Sequence, residues 1–194
     1  MRIIGGDNKG RRLLSPSGQD TRPTGDAHRE TAFNIIDNGL AHTMTNVLDL
    51  FSGTGAFGLE AFSRGAQFVA FTEKNPKAIA CIKKNAELCK LSSNQMLLIK
   101  EAALDEWPRQ LAALADSRLP FDTIFCDPPY HKKLVERALR ALEVKGSQLF
   151  LKDNSLLVAE ISADEEMISI PDSWELIKER KKGSTHLLFY RRVK

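Results

Sequence analysis

The chain has 194 residues, 42% apolar and 27% charged, proportions of an ordinary folded domain that exclude a disordered or collagen-like chain. No apolar run approaches the ~18 residues of a membrane span, and the opening MRIIGGDNKGRR has charge but no apolar block behind it, unlike a signal peptide. The net charge of +3 is unevenly spread: residues 1–30 carry +2 and residues 174–194 carry +5, leaving −4 on the stretch between, which suits either a gripped polyanion or two solvated basic ends.

In chain order, Arg2–Ile4 and Arg11–Leu14 flank GGDNKG, whose glycines and Asn/Asp supply turn chemistry, so a basic hairpin is predicted first. SPSGQDTRPTG is a loop by composition. Asp26 then caps a helix carrying Ala32, Phe33, Ile35 and Ile36 to about Asn38–Gly39. Val47–Phe51 reads as a buried strand, followed by a glycine turn and a short helix over Leu59–Arg64. Gln67–Thr72 is the next strand. Pro76–Leu91 is a helix with Ile79, Ile82, Ala86 and Cys89 on one stripe. Met96–Ile99 is a strand, Asp105–Ala115 a helix, Phe121–Cys126 a strand, Lys132–Leu142 a helix and Leu156–Ile161 a strand. Trp174–Arg180 and His186–Arg192 close the chain as a hairpin across KKGS. Alternating strands and helices predict an α/β fold with a mixed, mostly parallel sheet and a terminal antiparallel pair.

Two segments carry chemistry. In VLDLFSGTGAFG, residues 47–58, an apolar strand runs into Gly53, Gly55 and Gly58. This spacing at a strand-to-helix turn lets a ligand approach the backbone and offers free N–H groups. Glu73 ends the next strand, 18 residues after Gly55, where an acid accepts both ribose hydroxyls. Asp49 lies inside the strand, and a buried acid needs a partner; a cationic ligand supplies one. A dinucleotide and S-adenosylmethionine both fit this segment.

The second segment decides between them. Strand FDTIFC ends in Asp127-Pro128-Pro129-Tyr130, at the strand ends where doubly wound folds bind ligands. The prolines remove two N–H donors and leave carbonyls free; Asp127 adds a carboxylate and Tyr130 a stacking face. Converging acceptors under an aromatic plate suit a planar base with an exocyclic amine.

Here the chain resembles the S-adenosylmethionine-dependent amino-methyltransferases, whose [D/N/S]PP[Y/F] box follows the fourth strand. MRIIGGDNKGRRL, RPTGDAHRETAFNII (Arg22–Ile36), LDLFSGTGAFGLEAFSRGA and FCDPPY together are similar to the RsmD family of bacterial small-subunit (16S) ribosomal RNA guanine-N2 methyltransferases, over nearly the whole chain. The resemblance implies a Rossmann-like class I methyltransferase core at 26–194, with the hairpin and loop of 1–25 as an RNA-contact extension. It implies that Phe51, Ser52, Gly53 and Gly55 line the methionine moiety. Glu73 would hold the ribose, flanked by Lys74. The segment after Ile99 would meet the adenine, where this chain has Glu101-Ala102 in place of the family's usual Asp-Ala. Thr24 and Arg29 would close over the cofactor, and Asp127 to Tyr130 would form the catalytic box. The implied chemistry is direct in-line methyl transfer to guanine N2, with the N–H groups bound by Asp127 and the Pro128 carbonyl and Tyr130 stacked on the flipped base.

The remaining candidates have ordinary roles. Cys81, Cys89 and Cys126 form no CxxC pair, which argues against disulfides and zinc; Cys126 reads as core. His28, His42, His131 and His186 show no metal-ligand spacing, and Phe33, Phe57, Phe62, Phe68 and Phe71 read as core. Lys9, Arg11, Arg12 and Arg22, ahead of the cofactor-closing loop, are the RNA-contact candidates. The expected partner is ribosomal RNA or an assembling small subunit, with no membrane and no metal, for a monomer in the cytoplasm. A DNA adenine-N6 enzyme would need a target-recognition domain that the short ends cannot supply. A release-factor glutamine methyltransferase would begin its box with Asn. A nicotinamide oxidoreductase would leave the Pro-Pro box idle, and a noncatalytic RNA-binding module would leave the glycine turn idle.

Overall fold

The computed structural model describes residues 1–16, 24–100, 120–143, 149–166 and 169–193. Helix α1 (Thr24–Asn34) runs into a wider π-type turn at Ile35–Gly39, followed by β1 (Asn46–Leu50), α2 (Ala56–Ser63), β2 (Phe68–Thr72), α3 (Pro76–Leu88) and β3 (Met96–Ile99). Then come β4 (Phe121–Cys126), α4 (Leu134–Ala141), β5 (Leu151–Ser162), β6 (Trp174–Lys182) and β7 (Thr185–Arg192). The strands form one sheet in the order β3-β2-β1-β4-β5-β7-β6. The first five are parallel, and β7 inserts antiparallel between β5 and β6. The expected α/β class and terminal antiparallel hairpin are both present.

The winding decides where a ligand sits. From β1 the chain goes out through β2 to β3, then returns to lay β4 on the other side of β1. The carboxyl ends of β1 and β4 therefore flank a switch point, the crevice where such sheets bind ligands. Both strands are almost wholly buried, as strands covered on two faces must be. One face packs Leu48, Ile124 and Leu157 against Val135 and Leu139 of α4. The other packs Val47, Phe71 and Phe125 against Phe33 of α1, Leu59 of α2 and Ile82 of α3.

Local departures from the expected elements have physical causes. Strand β5 begins at Leu151, five residues before the apolar run that marks it in the sequence. Its pairing with β4 shifts register between Phe121 and Thr123, with Asn154 at φ +60°. The polar Lys152-Asp153-Asn154 thus belongs to a bulged strand that an alternation pattern does not reveal. Helix α1 begins at Thr24, which puts Asp26 inside the first turn; its carboxylate accepts from Arg29 Nη2 at 2.9 Å instead of capping the backbone. Helix α3 has the expected start, with Pro76 in its first turn and the Asn75 side chain accepting from Lys77 N at 2.9 Å. The helix predicted over Asp105–Ala115 lies outside the described residues.

The opening hairpin is welded to the core. Arg2 pairs antiparallel with Arg12, and Ile3 and Leu13 are buried in the same cluster as Val47 and Leu59. Its anchor is Glu60 of α2, which has no exposed surface. Glu60 accepts from Ile4 N (2.7 Å), Gly5 N (2.8 Å) and Arg64 Nε (2.8 Å), with Arg29 Nε at 3.8 Å. At Gly6, φ is +70° and a Cβ would fall 1.7 Å from the Ser63 carbonyl oxygen; only glycine permits this approach. Glu60→Ala removes one buried carboxylate from two N–H donors and a guanidinium. The expected cost is about 3–5 kcal/mol, measured by denaturant unfolding. A cost near zero would mean that the hairpin is held by apolar burial alone.

Candidate active site

The turn after β1 is held by a small polar lattice. Asp49, 1% exposed, accepts from Gly58 N at 2.9 Å, tying the end of the strand to the first turn of α2. A Cβ on Gly58 would come within 2.6 Å of Phe71 and 2.7 Å of Val69, so the glycine lets the helix lie directly on the sheet. Ser52 Oγ donates to the Asp49 carbonyl at 2.6 Å and accepts from Thr72 N at 3.0 Å. Phe51 has φ +56°, a conformation that costs a bulky residue roughly 1–3 kcal/mol; its N–H donates to Thr72 Oγ1 at 3.3 Å. Glu73 closes the turn from β2: Oε2 accepts from Gly53 N, and Oε1 from Lys74 N and Asn75 N, all at 2.8 Å.

These pieces open onto a cavity of about 290 Å³ between the ends of β1, β4 and β5. Of the residues expected at the cofactor, Arg29, Asp49, Phe51, Ser52, Gly53 and Asp127 line it. Gly55, Glu73 and Lys74 do not, although Glu73 is bonded to Gly53. Of the box, Asp127 faces the cavity, while buried Pro128, exposed Pro129 and half-buried Tyr130 lie beside it. Only the backbone of Thr24 is described, at the start of α1; Arg22, Glu101 and Ala102 lie outside the described residues. Lys9, Arg11 and Arg12 are exposed on the hairpin, away from the cavity wall.

Three further residues belong to this site. Glu160 of β5 lines the cavity; its Oε1 accepts from the Tyr130 hydroxyl at 2.7 Å and lies 3.8 Å from Nδ1 of buried His28. In the sequence it is an acid interrupting the apolar run LLVAEIS, the same signal that marks Asp49. Phe57, expected as core, is half-buried and lines the cavity while stacking on Phe125 at 5.0 Å. Met1 also reaches the wall. His131 does not line the cavity: its backbone N–H donates to Glu165 Oε2 at 3.0 Å, and its ring Nε2 lies 3.9 Å from Asp164 Oδ1.

The electrostatics favour a cation. Burial pushes the Asp49 carboxyl up to about 8, against the Gly58 N–H, with Glu73 adding to the rise and Arg29 opposing it. Asp127 is open to the cleft, yet the surrounding walls strip much of its water. That desolvation, then the charges of Glu160 and Asp49, hold its carboxyl well above the usual range, against a smaller pull from Arg29. Cys126 is fully buried and its thiol is pushed up by burial, which leaves it inert. A dinucleotide would bring an anionic pyrophosphate to a cavity lined by three carboxylates. A sulfonium reverses that penalty. S-adenosylmethionine fits these residues: Asp49 and Asp127 would face its positive charge and Arg29 its carboxylate. Among the described residues, no group of His, Cys, Asp and Glu could hold a metal ion, and no helix is long and apolar enough to cross a membrane.

A consequence for stability follows from Asp49. The folded carboxyl holds its proton to about pH 8, whereas an unfolded one loses it near 3.9. Between those values the folded state binds more protons, so this group makes stability fall as pH rises, by up to about 1.4 kcal/mol per pH unit, levelling above about 8. Asp49→Asn should flatten the decline between pH 5 and 8, read by chemical denaturation of the ligand-free protein. Parallel profiles for the two proteins would contradict the assignment.

Comparisons with known proteins agree with this geometry. The family model described as Conserved hypothetical protein 95 matches residues 1–191. The Ribosomal RNA small subunit methyltransferase D of Haemophilus influenzae is 34% identical over 98% of this chain and 93% of its own length. Its namesake in Escherichia coli is 31% identical over 99% and 90%. The solved structure of yhhF from Escherichia coli superposes with a TM-score of 0.79 at 28% identity, covering 100% of this chain and 98% of that one. With the glycine turn, the carboxylate-lined cavity and the DPPY box in place, the chain belongs to the RsmD family of S-adenosylmethionine-dependent methyltransferases.

Proposed function

We propose that this enzyme methylates the exocyclic N2 of a guanine in 16S ribosomal RNA of the small subunit. The observation that carries the reading is Asp127 at the end of β4, facing the same cavity as the glycine turn. The names of the relatives supply the ribosomal RNA substrate, and the acceptor-only chemistry of the box supplies the amine.

Guanine N2 is a poor nucleophile because its lone pair is delocalised into the ring. Bound S-adenosylmethionine supplies an electrophilic methyl group. Asp127 and the Pro128 carbonyl accept the two N2–H groups and so favour the pyramidal amine reached in the transition state. Holding the base in line with the methyl group supplies much of the rest. Once the N–C bond forms, the nitrogen carries a surplus proton; Asp127, its carboxyl raised by desolvation and by the charge of Glu160, is suited to take it. Tyr130 stacks on the flipped base, its ring angle set by the hydroxyl bond to Glu160 at 2.7 Å. Exposed Lys9, Arg11 and Arg12, with Arg22, serve as phosphate contacts that position the RNA without reading it, so residues 1–25 act as the RNA-contact extension of a core at 26–194. The enzyme works as a cytoplasmic monomer in this reading.

The test is methylation of purified small-subunit RNA and of small subunits, with the products digested and identified by mass spectrometry. The expected product is N2-methylguanosine. Asp127→Ala should lower turnover at saturating S-adenosylmethionine at least about 100-fold. Methyl transfer to adenine N6, or unimpaired turnover in the variant, would overturn the reading.

A further inference from the structure

Asp127 suffices, with the Pro128 carbonyl, to bind an amine with two N–H groups; a second carboxylate beside it needs another explanation. The register of β4 and β5 pairs Phe125 with Val158 and Cys126 with Ala159, so Asp127 and Glu160 come next along adjacent parallel strands. Side chains at such positions share a face, and both line the cavity. The arrangement is costly, because Glu160 is the largest charge contribution raising the Asp127 carboxyl. The Glu160 side chain is only 12% exposed. Its Oε1 is occupied by the Tyr130 hydroxyl at 2.7 Å, and among the described residues no hydrogen bond engages Oε2. The site therefore presents a fixed acceptor one strand away from the acceptor at the amine.

We infer that Glu160 reads the N1–H of the target guanine while Asp127 holds its N2 amine. This rests on the guanine-N2 reading and names what selects the base. On the Watson–Crick edge of guanine, N1–H and N2–H are neighbouring donors, matched by neighbouring carboxylates. In adenine the atom beside the exocyclic amine is an unprotonated N1, whose lone pair would face the Glu160 carboxylate with no proton between them. A site built to accept from a donor rejects an analogue that lacks it far more strongly than a merely apolar pocket does. Glu160 is on this account a specificity determinant, and Tyr130 keeps one of its oxygens pinned so that the other is presented in one place.

The experiment compares the full-length enzyme on RNA carrying guanine or 2-aminopurine at the target. 2-Aminopurine keeps the C2 amine and loses the N1 proton, offering a lone pair there instead. The wild type should prefer guanine at least about 100-fold in kcat/KM. Glu160→Gln, nearly isosteric, can donate its amide N–H to that lone pair, so the preference should fall at least tenfold at saturating S-adenosylmethionine. Equal wild-type rates on the two bases would overturn the inference whether or not the variant folds, and so would an unchanged preference in a folded variant. If the folded variant is inactive on both, 2-aminopurine fluorescence reads base placement directly. Tighter placement than in wild type supports the inference, and equal or weaker placement refutes it. Absence of N2-methylguanosine from wild-type products would instead remove the reading beneath it.

Discussion

Three carboxylates crowded around one small cavity set the terms for the rest of this molecule. Asp49, Asp127 and Glu160 stand at the ends of β1, β4 and β5, brought together by the reversal of winding at β1. Buried Arg29 answers them on the cavity wall. The protein meets the imbalance by holding protons: burial, with Glu73 adding to it, raises Asp49, and desolvation with the charges of Glu160 and Asp49 raises Asp127. The same imbalance makes the cavity hostile to a pyrophosphate and receptive to a sulfonium and to N–H donors. Cofactor choice and acceptor chemistry are thus two results of one electrostatic fact.

The scaffold that keeps this arrangement in place reaches back to the first residues. Arg29 donates to Asp26 and to the Arg2 carbonyl and approaches Glu60, while Glu60 holds the hairpin backbone at Ile4 and Gly5. The hairpin, α1 and α2 therefore share one buried charge network that ends at the cavity. Arg64 extends it outward, to Asp37 at 2.7 Å and over the Phe33 ring at 4.8 Å. An RNA docking on the exposed basic edge of the hairpin would press on elements that carry Arg29 and His28 into the site.

Much of this was legible in the sequence because it is written locally. The glycine turn after VLDLF and the DPPY box after FDTIFC are short motifs at strand ends, and apolar runs with intervening helices imply the parallel order. What was not legible depends on partners distant in sequence. Glu60 reads as an ordinary helix acid until the hairpin backbone, 56 residues earlier, is seen to donate to it. Glu160 sits in a strand whose apolar run hides that its neighbour across the sheet is Asp127. The start of β5 was masked by Lys152-Asp153-Asn154, where a register shift lets polar residues occupy a strand. Glu73 was placed correctly at the end of β2, yet its bond to Gly53 belongs to the turn and not to the cavity wall.

The most direct test of the electrostatic account is the number of protons released when ligand binds. Calorimetric titration near pH 7 in buffers of different ionisation enthalpy gives that number for S-adenosylmethionine and for its neutral, demethylated product. A carboxyl held at about 8 is mostly protonated at that pH, and an arriving cation favours its ionised form. Binding of S-adenosylmethionine should therefore release approximately one proton, and the product clearly fewer, with the difference shrinking above pH 8. Equal release for both ligands, or none for either, would contradict a cavity built on carboxylates that await a cation.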